Sequence, residues 1–213
     1  LSLNNFYKEI DHTILSKNSR EVDFSVFKTI NSLFLQAILS AHIGQLVQLS
    51  DILFQEFGKP FLNPEKFKDI HFNVSHTIDE IAIAVASFSL GFDLEIIQDN
   101  YPKSLVKQML HSEDQLKIES SVQFYQLWSI KEAFVKYTGD GLQLSLKNIV
   151  VTNDDLDCLT LQSPKQKAQV RKIELLENHT CFVAADNLCN AKIRIINHNK
   201  SAGILLNFLS EKN

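Results

Sequence analysis

The sequence has no surplus of positive charge, no long apolar run and few cysteines, and each shortage excludes something. Its 213 residues carry a formal net charge of −4. That excludes a general nucleic-acid binder, because sequence-independent affinity for phosphate backbones needs a net basic surface. Local basic sites for a small anionic ligand stay open. No apolar stretch approaches the roughly 18 residues of a membrane span, and the start lacks a basic-then-apolar leader pattern. We therefore expect no membrane association and a cytoplasmic location. The three cysteines, Cys158, Cys181 and Cys189, show neither CxxC spacing nor a nearby zinc-type histidine pair, and are expected to be reduced and structural. A phosphate-cradling glycine loop is missing too, since Gly139-Asp140-Gly141 lacks the Walker or GxGxxG context. No GxSxG elbow accompanies Ser75 and His76, so no hydrolase triad is indicated. Neither a 20–50-residue repeat nor a low-complexity linker interrupts the chain.

What is present has a clear period. Phe27, Ile30, Phe34, Ile38 and Ala41 recur at spacings of three and four and Gly44 follows, which predicts an amphipathic helix from Ser25 to His42. Three β-rich stretches come next, Ile70 to Val74, Ile81 to Ser87 and Gly91 to Ile96, and read as an antiparallel meander. Ser112 and Gln115 resemble a capping box for a short helix. A longer helix is predicted over Val122 to Tyr137, with Phe124, Leu127, Ile130, Phe134 and Tyr137 in its apolar stripe and Gly139 as its C-terminal cap. Strands follow at about 148–152, 156–162, 170–176, 180–185 and 193–196. Helix then strands, twice over, predicts an α+β fold of two similar halves, 1–96 and 97–213, each a small antiparallel sheet with a long helix.

Four short segments could carry chemistry. Asp93 and Glu95 sit two apart on a strand, so both carboxylates leave one face. Like charges that close repel unless a cation lies between them, and oxygen ligands suit Mg²⁺; a solvated strand edge is the plain structural alternative. Glu132 and Lys136 are four apart on one helical face, with Trp128 one turn earlier, so the glutamate is expected to emerge beside a partly buried aromatic patch. At the end of His71–His76, Ser75 and His76 could donate to a phosphate, or could simply satisfy a turn. Gly58-Lys59-Pro60 is a turn carrying one cation and says little alone.

The order and spacing of these segments say more: GKP, then FNVSH, then GFDLE, then WSIKEAFVK followed by GDGL. The series closely resembles the Sfp-type 4′-phosphopantetheinyl transferase family from Gly58 to about Val151. The resemblance implies a pseudodimer of two α/β halves with a ligand cleft between them, and transfer of the phosphopantetheine arm of coenzyme A to a serine of an apo acyl or peptidyl carrier protein. Asp93, Glu95 and Glu132 would hold Mg²⁺, and Lys136 would meet the phosphates. Ser75 and His76 would touch the nucleotide end with its 3′-phosphate, Lys59 would lie near the adenine and phosphate, and Lys28 would assist. Glu132 or a metal-bound water would take the serine proton, and adenosine 3′,5′-bisphosphate would leave. A monomer is expected, with coenzyme A and a carrier protein as its partners. Gln36 stands where the family commonly has arginine, and Thr77 where it has serine. The competing readings are a catalytically weakened carrier-protein or nucleotide-binding module that kept the fold, and a different Mg²⁺-dependent phosphotransferase.

Overall fold

The computed structural model describes residues 24–77, 81–111, 118–153, 158–188, 192–197 and 204–209. The chain forms two compact units, Leu1–Ile52 and Leu53–Asn213. In the first, helix α1 (Phe24–Ile43) lies where the three-and-four spacing predicts it, with Ile38 and Leu39 buried. It ends at Gly44, whose φ of +73° and N–H bond to Ser40 O suit a residue without Cβ. The side chain of Lys28 lies outside the described residues.

A short hairpin follows, β1 (Ile52–Phe54) and β2 (Pro60–Leu62). Then come β3 (His71–His76), β4 (Ile81–Ala86), β5 (Gly91–Ile96), α2 (Lys103–Met109) and α3 (Ser121–Thr138). The series closes with β6 (Val150–Asn153), β7 (Leu159–Gln162), β8 (Lys167–Lys172), β9 (His179–Ala185), β10 (Lys192–Asn197) and β11 (Ile204–Leu209). The fold is α+β, as expected, with sheets that are antiparallel except for one pair. A four-stranded sheet has the order β10-β11-β4-β3, in which β11 and β4 run parallel. A five-stranded sheet has the order β5-β9-β8-β7-β6.

The expected meander holds for β3 and β4 and breaks at β5. Strand β5 pairs with β9 in the other sheet, so β3, β4 and β5 divide between two sheets. The physical reason lies in two side chains. Asn73 and Ser75, alternate residues of β3, accept the N–H groups of Phe92 and Leu94, so β5 meets β3 through side chains instead of a backbone ladder. Those bonds satisfy buried donors that would otherwise cost about 1–3 kcal/mol each.

The five-stranded sheet is covered on both faces. Ala82, Ala84 and Ala86 of β4 pack with Phe92, Leu94, Cys181, Val183 and Ala185 on one side. On the other, Ile130, Ala133 and Phe134 of α3 pack with Val170, Phe182 and Ala184. The alternation along β9, odd residues one way and even the other, is the period-two signature of a strand buried on both faces. Helix α3 starts at a capping box, Ser120 Oγ accepting from Gln123 N, and stops at Gly139 in the left-handed conformation. The box expected at Ser112 and Gln115 lies outside the described residues.

The expectation of reduced, structural cysteines holds at Cys181 and fails at Cys158. Cys158 is disulfide-bonded, whereas Cys181 is a free thiol buried between the sheets. Odd cysteine number and absent motifs speak to metal sites, and carry little information about which two sulfurs the fold brings together.

Candidate active site

Helix α3 lies against β5 at a distance that only glycine permits. A Cβ on Gly91 would stand 2.0 Å from Ala133 O and 2.1 Å from Tyr137 N. Gly91, Asp93 and Glu95 alternate with Phe92 and Leu94, so the face of β5 away from the β4 core meets α3. Along that face the helix offers Tyr137 to Gly91, Lys136 to Asp93 and Trp128 to Glu95. The GFDLE and WSIKEAFVK segments are therefore two sides of one contact.

Lys136 Nζ lies 2.6 Å from Asp93 Oδ1 and donates to Ser75 Oγ at 2.9 Å. Ser75 Oγ in turn donates to Asp93 Oδ1 at 3.1 Å. Asp93 is 2% exposed, and its other oxygen, Oδ2, is buried with no hydrogen-bond partner among the described residues. Glu95 turns away toward Trp128, accepting from Nε1 at 3.2 Å. Burial, chiefly, and the neighbouring Asp93 carboxylate push the Glu95 carboxyl up to about 7. Burial, then Asp93, raises Glu132 as well, and Lys136 partly offsets it. The cation that relieves the repulsion anticipated for Asp93 and Glu95 is thus, here, the Lys136 ammonium.

In front of this contact lies a cleft of about 510 Å³. Its walls include Gly58, Lys59 and Pro60 of the hairpin, Asn73 and Val74 of β3, Glu132 and Lys136 of α3, and Leu144 to Leu146. Three of the four sequence segments, and the loop after the fourth, line one space. Buried Lys131 ties that loop to α3 by donating to Leu146 O at 3.0 Å. Lys59 ties the hairpin to both neighbours, donating to Leu90 O at 3.0 Å and Tyr137 O at 3.1 Å, and burial lowers its ammonium to about 8.

The anticipated site residues therefore divide. Glu132, Lys136 and Lys59 reach the cleft, while Ser75 is buried behind it and His76 is exposed at the end of β3. Asp93, Glu95 and Glu132 influence one another electrostatically. Among the described residues, however, no three histidine, cysteine or acidic side chains cluster closely enough to hold a metal ion. The orphaned Oδ2 of Asp93 nevertheless fits a cation, because an ionised oxygen buried without a donor is costly and a hard divalent ion would satisfy it. Sequence reasoning missed Asn73 and Lys131. The signal for Asn73 was its alternation with Ser75 on one strand face, and for Lys131 a lysine inside the apolar stripe between Ile130 and Phe134.

Two ammonium groups and a carboxylate of raised basicity around one cleft can bind anionic oxygens and move a proton. A sequence profile described as the 4′-phosphopantetheinyl transferase superfamily matches residues 89–184. The chain is 27% identical over 213 aligned positions to 4′-phosphopantetheinyl transferase gsp of Aneurinibacillus migulanus, covering 88% of each chain. It is 38% identical over 112 positions to 4′-phosphopantetheinyl transferase Sfp of Bacillus subtilis strain 168, covering 48% of each. With the transferase ffp of Bacillus subtilis it shares 32% over 154 positions, 66% of this chain and 61% of that one. Among solved structures, Thermotoga maritima holo-[acyl-carrier-protein] synthase is matched at a TM-score of 0.38 and 15% identity, over 52% of this chain and 70% of that one. The resemblance expected from the motifs is thus shown, to Sfp-like 4′-phosphopantetheinyl transferases. The matched profile and relatives support a 4′-phosphopantetheinyl transferase as the enzyme type. Among the described residues no helix is long and apolar enough to cross a membrane.

Proposed function

We propose that this chain transfers the 4′-phosphopantetheine arm from coenzyme A to the hydroxyl of a carrier-protein serine. The observation that carries this is the single cleft walled by the GKP turn, the FNVSH strand, the WSIKEAFVK helix and the loop after it, with Asp93 held on Lys136 behind. In this reading Lys136 meets the pyrophosphate oxygens and offsets charge that grows as the bond breaks. Glu132, its basicity raised by burial, takes the serine proton. The serine oxygen bonds to the β-phosphorus, the bond from that phosphorus to the bridging oxygen breaks, and adenosine 3′,5′-bisphosphate leaves with the electron pair. His76 and Lys59 bind the nucleotide end. An ammonium has three N–H donors, and Lys59 gives two to the Leu90 and Tyr137 carbonyls, which leaves one for a phosphate.

Asp93, through Oδ2, together with Glu95 and Glu132 would hold Mg²⁺, which when bound supplies positive charge beside the pyrophosphate. The finer architecture, two similar halves 1–96 and 97–213 with the coenzyme between them, is part of the same proposal. The test is incubation with coenzyme A, Mg²⁺ and a panel of apo acyl and peptidyl carrier proteins, followed by intact-mass measurement. One carrier should gain a single phosphopantetheine with wild type and not with Lys136→Met. No gain on any carrier at saturating coenzyme A would overturn the proposal.

A further inference from the structure

We propose that Ser75 is a positioning residue that assigns the two oxygens of Asp93 to different partners, holding Oδ1 on Lys136 and leaving Oδ2 open to a divalent cation. This rests on the transferase reading above and concerns a residue that the motif resemblance places on the nucleotide. The structure puts Ser75 elsewhere, 3% exposed in the seam between β3 and β5.

A hydroxyl has one proton to give and two lone pairs to receive with. Two of the neighbours of Ser75 Oγ are donors only, Leu94 N at 3.1 Å and Lys136 Nζ at 2.9 Å. The one remaining neighbour, Asp93 Oδ1 at 3.1 Å, must then receive the Ser75 proton. All three capacities of the hydroxyl are filled, and its orientation is determined. Asp93 Oδ1 accordingly accepts from both Ser75 and Lys136, and Oδ2 accepts from nothing. Ser75 also anchors the backbone of β5 at Leu94, the residue between the two carboxylates.

Without the hydroxyl, Lys136 loses its second acceptor and Asp93 its second donor. The ammonium can then take both carboxylate oxygens or swing into the cleft, and Oδ2 is no longer reserved. Because charge-assisted hydrogen bonds are stronger than neutral ones, the loss should read as about ten-fold or more in affinity.

The probe is Mn²⁺ alone, titrated into the coenzyme-free protein and followed by electron paramagnetic resonance. Ser75→Ala should weaken Mn²⁺ binding by about ten-fold, and Ser75→Thr, which keeps the hydroxyl, should recover most of it. Ser120→Ala removes the N-terminal cap of α3 and touches neither Asp93 nor Lys136. It should lower stability and leave Mn²⁺ binding within about two-fold, which separates positioning from a general loss of stability. In steady-state transfer, Ser75→Ala should lower kcat with the KM for coenzyme A unchanged. In Mn²⁺ titrations on a Lys136→Met background, Ser75→Ala should weaken binding no further. A raised KM with kcat intact, equal Mn²⁺ affinity in wild type and Ser75→Ala, or additive effects with Lys136→Met would each overturn the assignment. A wild type that binds Mn²⁺ and modifies no carrier sinks the transferase reading instead, while the Mn²⁺ arm still judges Ser75.

Discussion

At Gly91 a side chain has nowhere to go, because the three atoms it would strike, Ala133 O, Tyr137 N and Tyr137 Cα, all belong to the helix backbone. Gly91→Ala must push α3 off β5, and with it Lys136 off Asp93. We expect a loss of about 3 kcal/mol, the upper part of the usual range for overpacking, read as a lower urea midpoint. Trp128→Phe tests a subtler contact. The indole N–H bond to Glu95 lowers that carboxyl against the burial and the Asp93 charge that raise it. Phenylalanine keeps an aromatic ring beside Phe124, which Trp128 stacks on at 6.1 Å between centroids, but gives no donor. Glu95 should then titrate above its value of about 7 in carboxyl-resolved NMR, and an unmoved titration would show that the bond contributes nothing.

Helix α3 is the element on which the site depends, and its ends are defined by local chemistry. Ser120 accepts from Gln123 N while the Gln123 side chain returns to Ser120 N. Ser120→Ala should cost about 1 kcal/mol, measured by denaturant unfolding, with Mn²⁺ binding unchanged since the cap lies at the end remote from Lys136. At the other end Gly139 has a φ of +77°, and a Cβ there would stand 2.5 Å from Gln55 Oε1. Strand β3 works differently. Its Asn73 and Ser75 replace a backbone ladder to β5 by side-chain acceptors, so the element holds two sheets together at a line where they share no strand pairing. This is why alternation alone read as a meander: a strand's period reports its two faces and does not say which edge its neighbour occupies.

For the whole molecule these groups make stability depend on pH with two opposite slopes. Glu95 titrates near 4.5 unfolded and near 7 folded, so between those values the folded state binds more protons. Stability of the metal-free protein should fall as pH rises through that window, and Glu132 acts in the same direction. Lys59 titrates near 10.5 unfolded and near 8 folded, so there the unfolded state binds more protons and stability should rise with pH between them. Thermal midpoints across pH should show a minimum near 7 to 8, and Glu95→Gln should flatten the acid limb. An unchanged acid limb in that variant would show that Glu95 does not carry it. A divalent ion reverses the first slope, because it stabilises the ionised carboxylates.

Local pattern sufficed for the elements whose signals are local. The 3.6-residue period and the flanking glycines located α1 and α3 to within a residue or two, and the β-rich runs located β3, β4, β5 and β9. The GxDxE and KEAxxK spacings marked Asp93, Glu95, Glu132 and Lys136, since two-residue and four-residue intervals are faces of a strand and a helix whatever the fold. Which residues meet could not be read there. That Lys136 neutralises Asp93, that Ser75 stands behind the cleft, that Lys59 clamps two carbonyls and that Cys158 is bonded are long-range facts. The first three depend on how close α3 approaches β5 and on which sheet β5 joins, and those follow from the packing of both faces together, with one missing Cβ at Gly91 setting the distance.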